Sequence, residues 1–170
     1  MISQRVATKL EILLLAIRAK LSADLSWDQS RVDLVLSDEK ELDQYPKDES
    51  FIQISPYRFN VDQPVLTGGG PTDALVMEGS PGIVVTIWKR VNLDRAGRAP
   101  AYLTDQTVGV VQLVRKILKS LTLYDPVDAS GNGLLEEPMR PTAMEFRPKR
   151  PLDWGKVAIF IEMKYQEDLT

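Results

Sequence analysis

Apolar residues recur at spacings of three and four near the start of the chain, at Val6, Leu10, Leu13, Leu14, Ile17 and Leu21. That period predicts an amphipathic helix over residues 3–22, capped by Ser3, with Arg5, Lys9, Glu11 and Lys20 directed away from the stripe. The period then changes to two. Val32, Leu34 and Leu36 alternate with polar neighbours over 31–36, as a half-buried strand does. A second strand is expected over 51–59, and Gly68-Gly69-Gly70-Pro71 marks a loop. Residues 74–78 and 82–91 read as two strands about a turn at Gly79-Ser80-Pro81-Gly82. In the second of these, Ile83, Val85 and Ile87 share one face, and Val84, Thr86, Trp88 and Arg90 share the other.

A second helix is predicted from Thr104 as N-cap to Leu121, burying Val110, Val111, Val114, Ile117, Leu118 and Leu121. Arg115, Lys116 and Lys119 sit towards its C-terminus, where the helix dipole favours positive charge. A connection rich in Gly, Pro and Asp leads from Leu123 to Pro141, and strands over 142–147 and 156–165 close the chain. The predicted order is α-β-β-β-β-α-β-β. It implies an α+β fold, a two-layer sandwich with two principal helices on one face of a mainly antiparallel sheet.

Composition narrows the chemistry. With 170 residues, 44% hydrophobic and 26% charged, the chain reads as one globular domain spanning 1–170 with a sizeable core. It has no cysteine and no histidine, which removes thiolate metal sites, thiol nucleophiles and hydrolysis through a Ser-His-Asp triad. The apolar run Ile12 to Ile17 is far shorter than the roughly 20 residues a membrane span needs, so a soluble, intracellular protein with no membrane partner is expected.

The candidate motifs have plainer explanations. Ser37 to Lys40 matches S-x-x-K, but it lies in an acidic stretch and lacks the K-T-G partner strand. Asp128, Ser130, Asn132 and Gly133 match the start of a calcium loop, yet position twelve is Met139 where a bidentate glutamate is needed. An Asx-rich turn explains the same residues. The triple glycine lacks the Lys-Ser/Thr of a phosphate loop. No cofactor is implied. Basic residues Arg140, Arg147, Lys149, Arg150 and Lys156 interleave with Phe146 and Trp154, but a net charge of −3 argues against direct nucleic-acid binding.

Charge is instead divided along the chain. Asp24 to Glu78 carries twelve acids and four bases, a net −8, whereas Gly79 to Lys164 carries nine acids and thirteen bases, a net +4. Such a division suits copies that dock head to tail, acidic edge to basic edge, and a closing rotation makes that contact a ring. The expected interface residues are Asp38, Glu39 and Glu41 on the acidic side and Arg147, Lys149 and Arg150 on the basic side. Trp88, Arg90, Phe160, Glu162 and Lys164 join them, because strand alternation turns them away from the helices.

An N-terminal amphipathic helix, strands ending in Ile-Trp-Lys-Arg (87–90), the helix Thr104–Leu121 and two terminal strands together resemble the tail terminator (tail completion) proteins of long-tailed bacteriophages and related neck proteins. The resemblance covers most of the chain and lies in element order and size. It implies a virion protein, assembled in the host cytoplasm, whose hexameric ring caps the tail tube, stops its polymerisation and meets the head-tail connector or neck proteins. It carries over no catalytic residue. The alternatives are another phage neck, connector or baseplate component and, in a different class, a small Mg²⁺ enzyme using Asp38/Glu41 or Glu136/Glu137.

Overall fold

Helix α1 (Lys9–Leu25) buries Leu13, Ile17 and Leu21, residues spaced by four that fall on one side of the helix. It stops where Ser26 turns left-handed at φ 54°, with the Trp27 N–H donating to the Ser22 carbonyl at 2.9 Å and the Ser26 N–H to that of Ala23 at 3.1 Å. This pairing satisfies two of the carbonyls a helix end leaves free. A computed structural model of the chain describes residues 9–35, 50–67, 74–90, 109–148 and 154–168, with backbone alone at 57–67, 74–81, 90, 147–148, 154 and 166–168. The expected first turn at 3–8, the Thr104 cap and the loops at 36–49 and 68–73 lie outside the described residues.

After a short 3-10 turn (Gln29–Arg31) come β1 (Val32–Leu34), β2 (Phe51–Thr67), β3 (Ala74–Arg90), helix α2 (Val110–Leu121), β4 (Glu137–Pro148) and β5 (Trp154–Asp168). The Arg18 guanidinium fastens that turn by donating to the Val32 and Gln29 carbonyls at 2.7 and 3.0 Å. The sheet runs β1-β2-β3-β5-β4, with β1 parallel to β2 and every other pair antiparallel. This is the mainly antiparallel α+β sheet expected.

Two expectations need correction. Residues 74–90 form one strand and not two, because Gly79 and Gly82 are held on both sides, opposite Val61 and Arg58 in β2 and Tyr165 and Glu162 in β5. Pairing on two flanks outweighs the local turn signal, and the order therefore has one strand fewer. The second helix starts at Val110 because Gly109 is extended (φ −62°, ψ 152°) and caps it without a side chain. Glycine costs a helix interior about 1 kcal/mol, and here it sits just outside.

The helices share one face. Ile17 and Leu21 of α1 and Val110, Leu113, Val114, Ile117 and Leu121 of α2 pack with Ile52, Ile54, Ile83, Val85, Ile87, Val157, Ile159 and Ile161. Truncating one such isoleucine to alanine costs about 2–5 kcal/mol. α1 lies beside β1, and α2 contacts β3 and β4. Ser120 Oγ donates to Asp24 Oδ2 at 2.6 Å and joins the two helices. That hydrogen bond, then Lys20 at 3.0 Å, holds the Asp24 carboxyl below the usual carboxylate range. The partly exposed contact therefore stabilises the fold at neutral pH and is lost as acid titrates the depressed group. Among the described residues, no helix is long and apolar enough to cross a membrane.

Thr86 Oγ1 is buried on the opposite face without a hydrogen-bond partner among the described residues. Thr86→Val removes this unpaired hydroxyl at nearly constant shape. It should raise unfolding stability by about 1 kcal/mol, measured by denaturant titration; a loss of stability would mean that the hydroxyl is hydrogen-bonded in solution.

Candidate assembly surface

The side of the sheet turned away from the helices carries Phe51, Gln53 and Ser55 of β2, Val84, Thr86 and Trp88 of β3, and Ala158 and Phe160 of β5. Strand alternation places Trp88 there as expected, but its exposure is 0%, so the expected exposed aromatic is a buried one. Its neighbours on that face hold it in place. Trp88 Nε1 donates to Gln53 Oε1 at 2.8 Å, and the indole stacks on Phe51 with centroids 6.1 Å apart and planes 18° from parallel. The Lys156 ammonium lies 5.3 Å from the centre of the Trp88 ring. Burial pushes the Lys156 amine below the usual lysine range. A buried indole needs a hydrogen-bond acceptor, and Gln53 supplies it. Gln53 was not foreseen, though a glutamine inside an apolar strand signals a buried polar partner.

Further along β5 the same side becomes open. Phe160 is half-buried, and Glu162 and Lys164 are exposed. Lys164 pairs with Glu137 of β4 at 3.1 Å, and Arg140 stands opposite Glu162 in the register. These charges and Thr142 rim a shallow hollow between the two strands. Arg90 and Arg147 are placed by backbone alone, opposite Trp154 and Lys156. Asp38, Glu39, Glu41, Lys149 and Arg150 lie outside the described residues. The expected interface residues thus divide: Phe160, Glu162 and Lys164 share one strand face, and Trp88 is packed inside.

A second surface went unrecognised in the sequence. β4 is an edge strand, and its Met144 and Phe146, opposite Ile159 and Val157, lie on the helix side but remain 44% and 49% exposed. Helix α2, which contacts β4, turns outward Val111, 47% exposed, with Arg115 and Lys119 in line with it at spacings of four, and Lys116 on the flank of Ser120. Helix α2 contains no carboxylate. None of the three cations makes an ion pair or side-chain hydrogen bond among the described residues. Solvent-exposed apolar side chains next to unpaired cations are the composition of a protein-docking surface.

The loop matching a calcium motif is an Asx turn. Asp128 Oδ1 accepts from the Ser130 and Asn132 N–H groups at 2.8 and 2.9 Å, and Asn132 Nδ2 donates to Oδ2 at 3.2 Å. Gly131 takes the left-handed φ of 86° that closes it. The backbone N–H of Asn132, foremost among these donors, holds the Asp128 carboxyl below its ordinary range.

No family model matches the chain, and no curated protein matches it. Among solved structures it is similar to a chain described as the virion of a native gene transfer agent particle. The two are 14% identical, with 91% of this chain and 94% of that chain covered and a TM-score of 0.46.

The burial of Trp88 yields a prediction. Trp88→Phe keeps an aromatic ring but removes the buried Trp88–Gln53 hydrogen bond, and should cost about 1–3 kcal/mol of stability. Trp88→Ala should cost about 3–5 kcal/mol. Both are read by chemical denaturation beside sedimentation velocity. A variant that keeps wild-type stability while losing association would place Trp88 at an interface and not in the core.

Proposed function

We propose that this chain is a non-catalytic structural subunit of a phage virion: a tail terminator whose copies close into a ring of six, cap the tail tube and present a surface to the head-tail connector. The observation that carries the assembly part is the open surface of α2 and β4, elements in contact, which expose Val111, Met144 and Phe146 together with three cations that have no partner among the described residues. An isolated subunit leaves these groups in water, and a neighbour removes the apolar area from it, at about 25 cal/mol per Å². The terminator part rests on the resemblance in element order, in which 74–90 counts as one strand, and is supported by two helices on one face of a mainly antiparallel sheet.

The division of charge between the two halves supports heterologous contacts, which close into rings and do not stop at dimers. The runner-up, another neck, connector or baseplate component, differs from this reading in ring number and in the partner it caps. Native mass spectrometry and negative-stain imaging, with the chain alone and with tail-tube protein, test the proposal. A closed ring of six copies is expected, together with shorter tubes as the chain is titrated into polymerising tube protein. A strict monomer under both conditions, or tubes of unchanged length, would overturn it.

A further inference from the structure

The exposed cations of α2, which contacts β3 and β4, and the apolar pair of edge strand β4 lie away from β1, and the most acidic part of the chain is attached at the β1 side. Residues 36–49 contain six acids and two bases. That stretch follows Val35, which comes after edge strand β1, and precedes Ser50, which comes before β2. In the order β1-β2-β3-β5-β4, its two anchors therefore adjoin the two strands farthest from β4.

We infer that the face formed by Val111, Arg115, Lys116 and Lys119 of α2 with Met144 and Phe146 of β4 receives the acidic stretch 36–49 of a second copy. This names the contact within the ring and rests on the ring reading. Three features select that occupant. The α2 row is cationic with no carboxylate interspersed, so it requires an acidic counterpart. The chain itself holds such a counterpart at the opposite edge, and that placement makes the contact head-to-tail, as a closed ring demands. Exposed Val111 stands in line with Arg115 and Lys119, and β4, which α2 contacts, exposes Met144 and Phe146, aliphatic and aromatic surface that a protein partner buries and a phosphate backbone leaves wet. Within a single stretch the apolar complement is also present, as Leu36, Leu42 and Tyr45 stand among the acids.

Reciprocal charge reversal tests the contact. One variant carries Arg115→Glu, Lys116→Glu and Lys119→Glu, all exposed positions, and the other Asp38→Lys, Glu39→Lys and Glu41→Lys. Light scattering follows the assembly rate, and native mass spectrometry reads the composition of each ring. Each variant alone should associate at least about tenfold more slowly than wild type, since steering charges act mainly on the on-rate. An equimolar mixture should recover, because reversed α2 meets the reversed stretch and native α2 meets the native stretch in alternating chains.

Rings containing both variants in equal number are the expected product. Should either variant unfold at a lower temperature than wild type, the wild-type salt series decides: association must slow steeply between low salt and 1 M. Recovery in a chain carrying both reversals, but not in the mixture, would place the contact inside one chain and overturn the inference. So would wild-type rates in both single variants, an outcome that leaves the ring reading intact. A duplex oligonucleotide whose binding is abolished by the α2 reversal, with assembly unchanged, would assign the row to nucleic acid and overturn it as well. A wild-type chain that never assembles, with or without tube protein, removes the ring reading and this contact together.

Discussion

Ile83, Val85 and Ile87 point to the helices, Val84, Thr86 and Trp88 point away, and all six are buried. This double burial of β3 is the constraint on which the rest of the structure depends. A strand buried on one face needs one layer; β3 sits in the middle of five strands, so its backbone groups are paired by β2 and β5 while its side chains fill two environments. The helix side is purely aliphatic around it, and α1 and α2 dock there through stripes of the same chemistry. The other side holds Gln53, Ser55 and Thr86, polar groups whose burial is costly unless they are hydrogen-bonded. The Trp88–Gln53 hydrogen bond offsets part of that cost and fixes the register of β2 against β3, since a slip of one residue separates donor from acceptor.

The elements with one consistent period were legible in the sequence. The Leu13–Ile17–Leu21 stripe, the alternation of Ile83 to Trp88 and that of Val157 to Tyr165 each point to one answer, and the structure follows them. What was not legible depended on contacts distant in sequence. Gly79-Ser80-Pro81-Gly82 has the composition of a turn, yet β2 and β5 hold it extended. Thr104 is a better cap by residue type than Gly109, but it is Gly109 that precedes Val110, the first residue of the helix. Trp88 was correctly assigned its face and wrongly expected to be open, because alternation gives direction and says nothing about what lies opposite. The surface of α2 and β4 was missed for a related reason. Lys116 and Arg115 explain themselves as partners of a helix dipole, and Phe146 reads as core until the edge position of β4 is known.

The edge itself is poorly suited to association through its backbone. An open edge strand offers a row of backbone donors and acceptors, which natural sheets interrupt to prevent indiscriminate pairing. β4 carries Pro138, Pro141 and Pro148, three positions without an N–H, and its register shifts between Glu137 and Arg140 and again between Pro141 and Ala143. A strand broken in this way is a poor template for a continuous ladder with another chain. What it presents intact is Met144 and Phe146 on one side and the Glu137–Lys164 pair on the other. Recognition by apolar side chains bordered by fixed charges discriminates between partners, whereas recognition by backbone accepts any extended strand. The three prolines and two register shifts of β4 disfavour the backbone kind and leave its side chains as the surface that can discriminate.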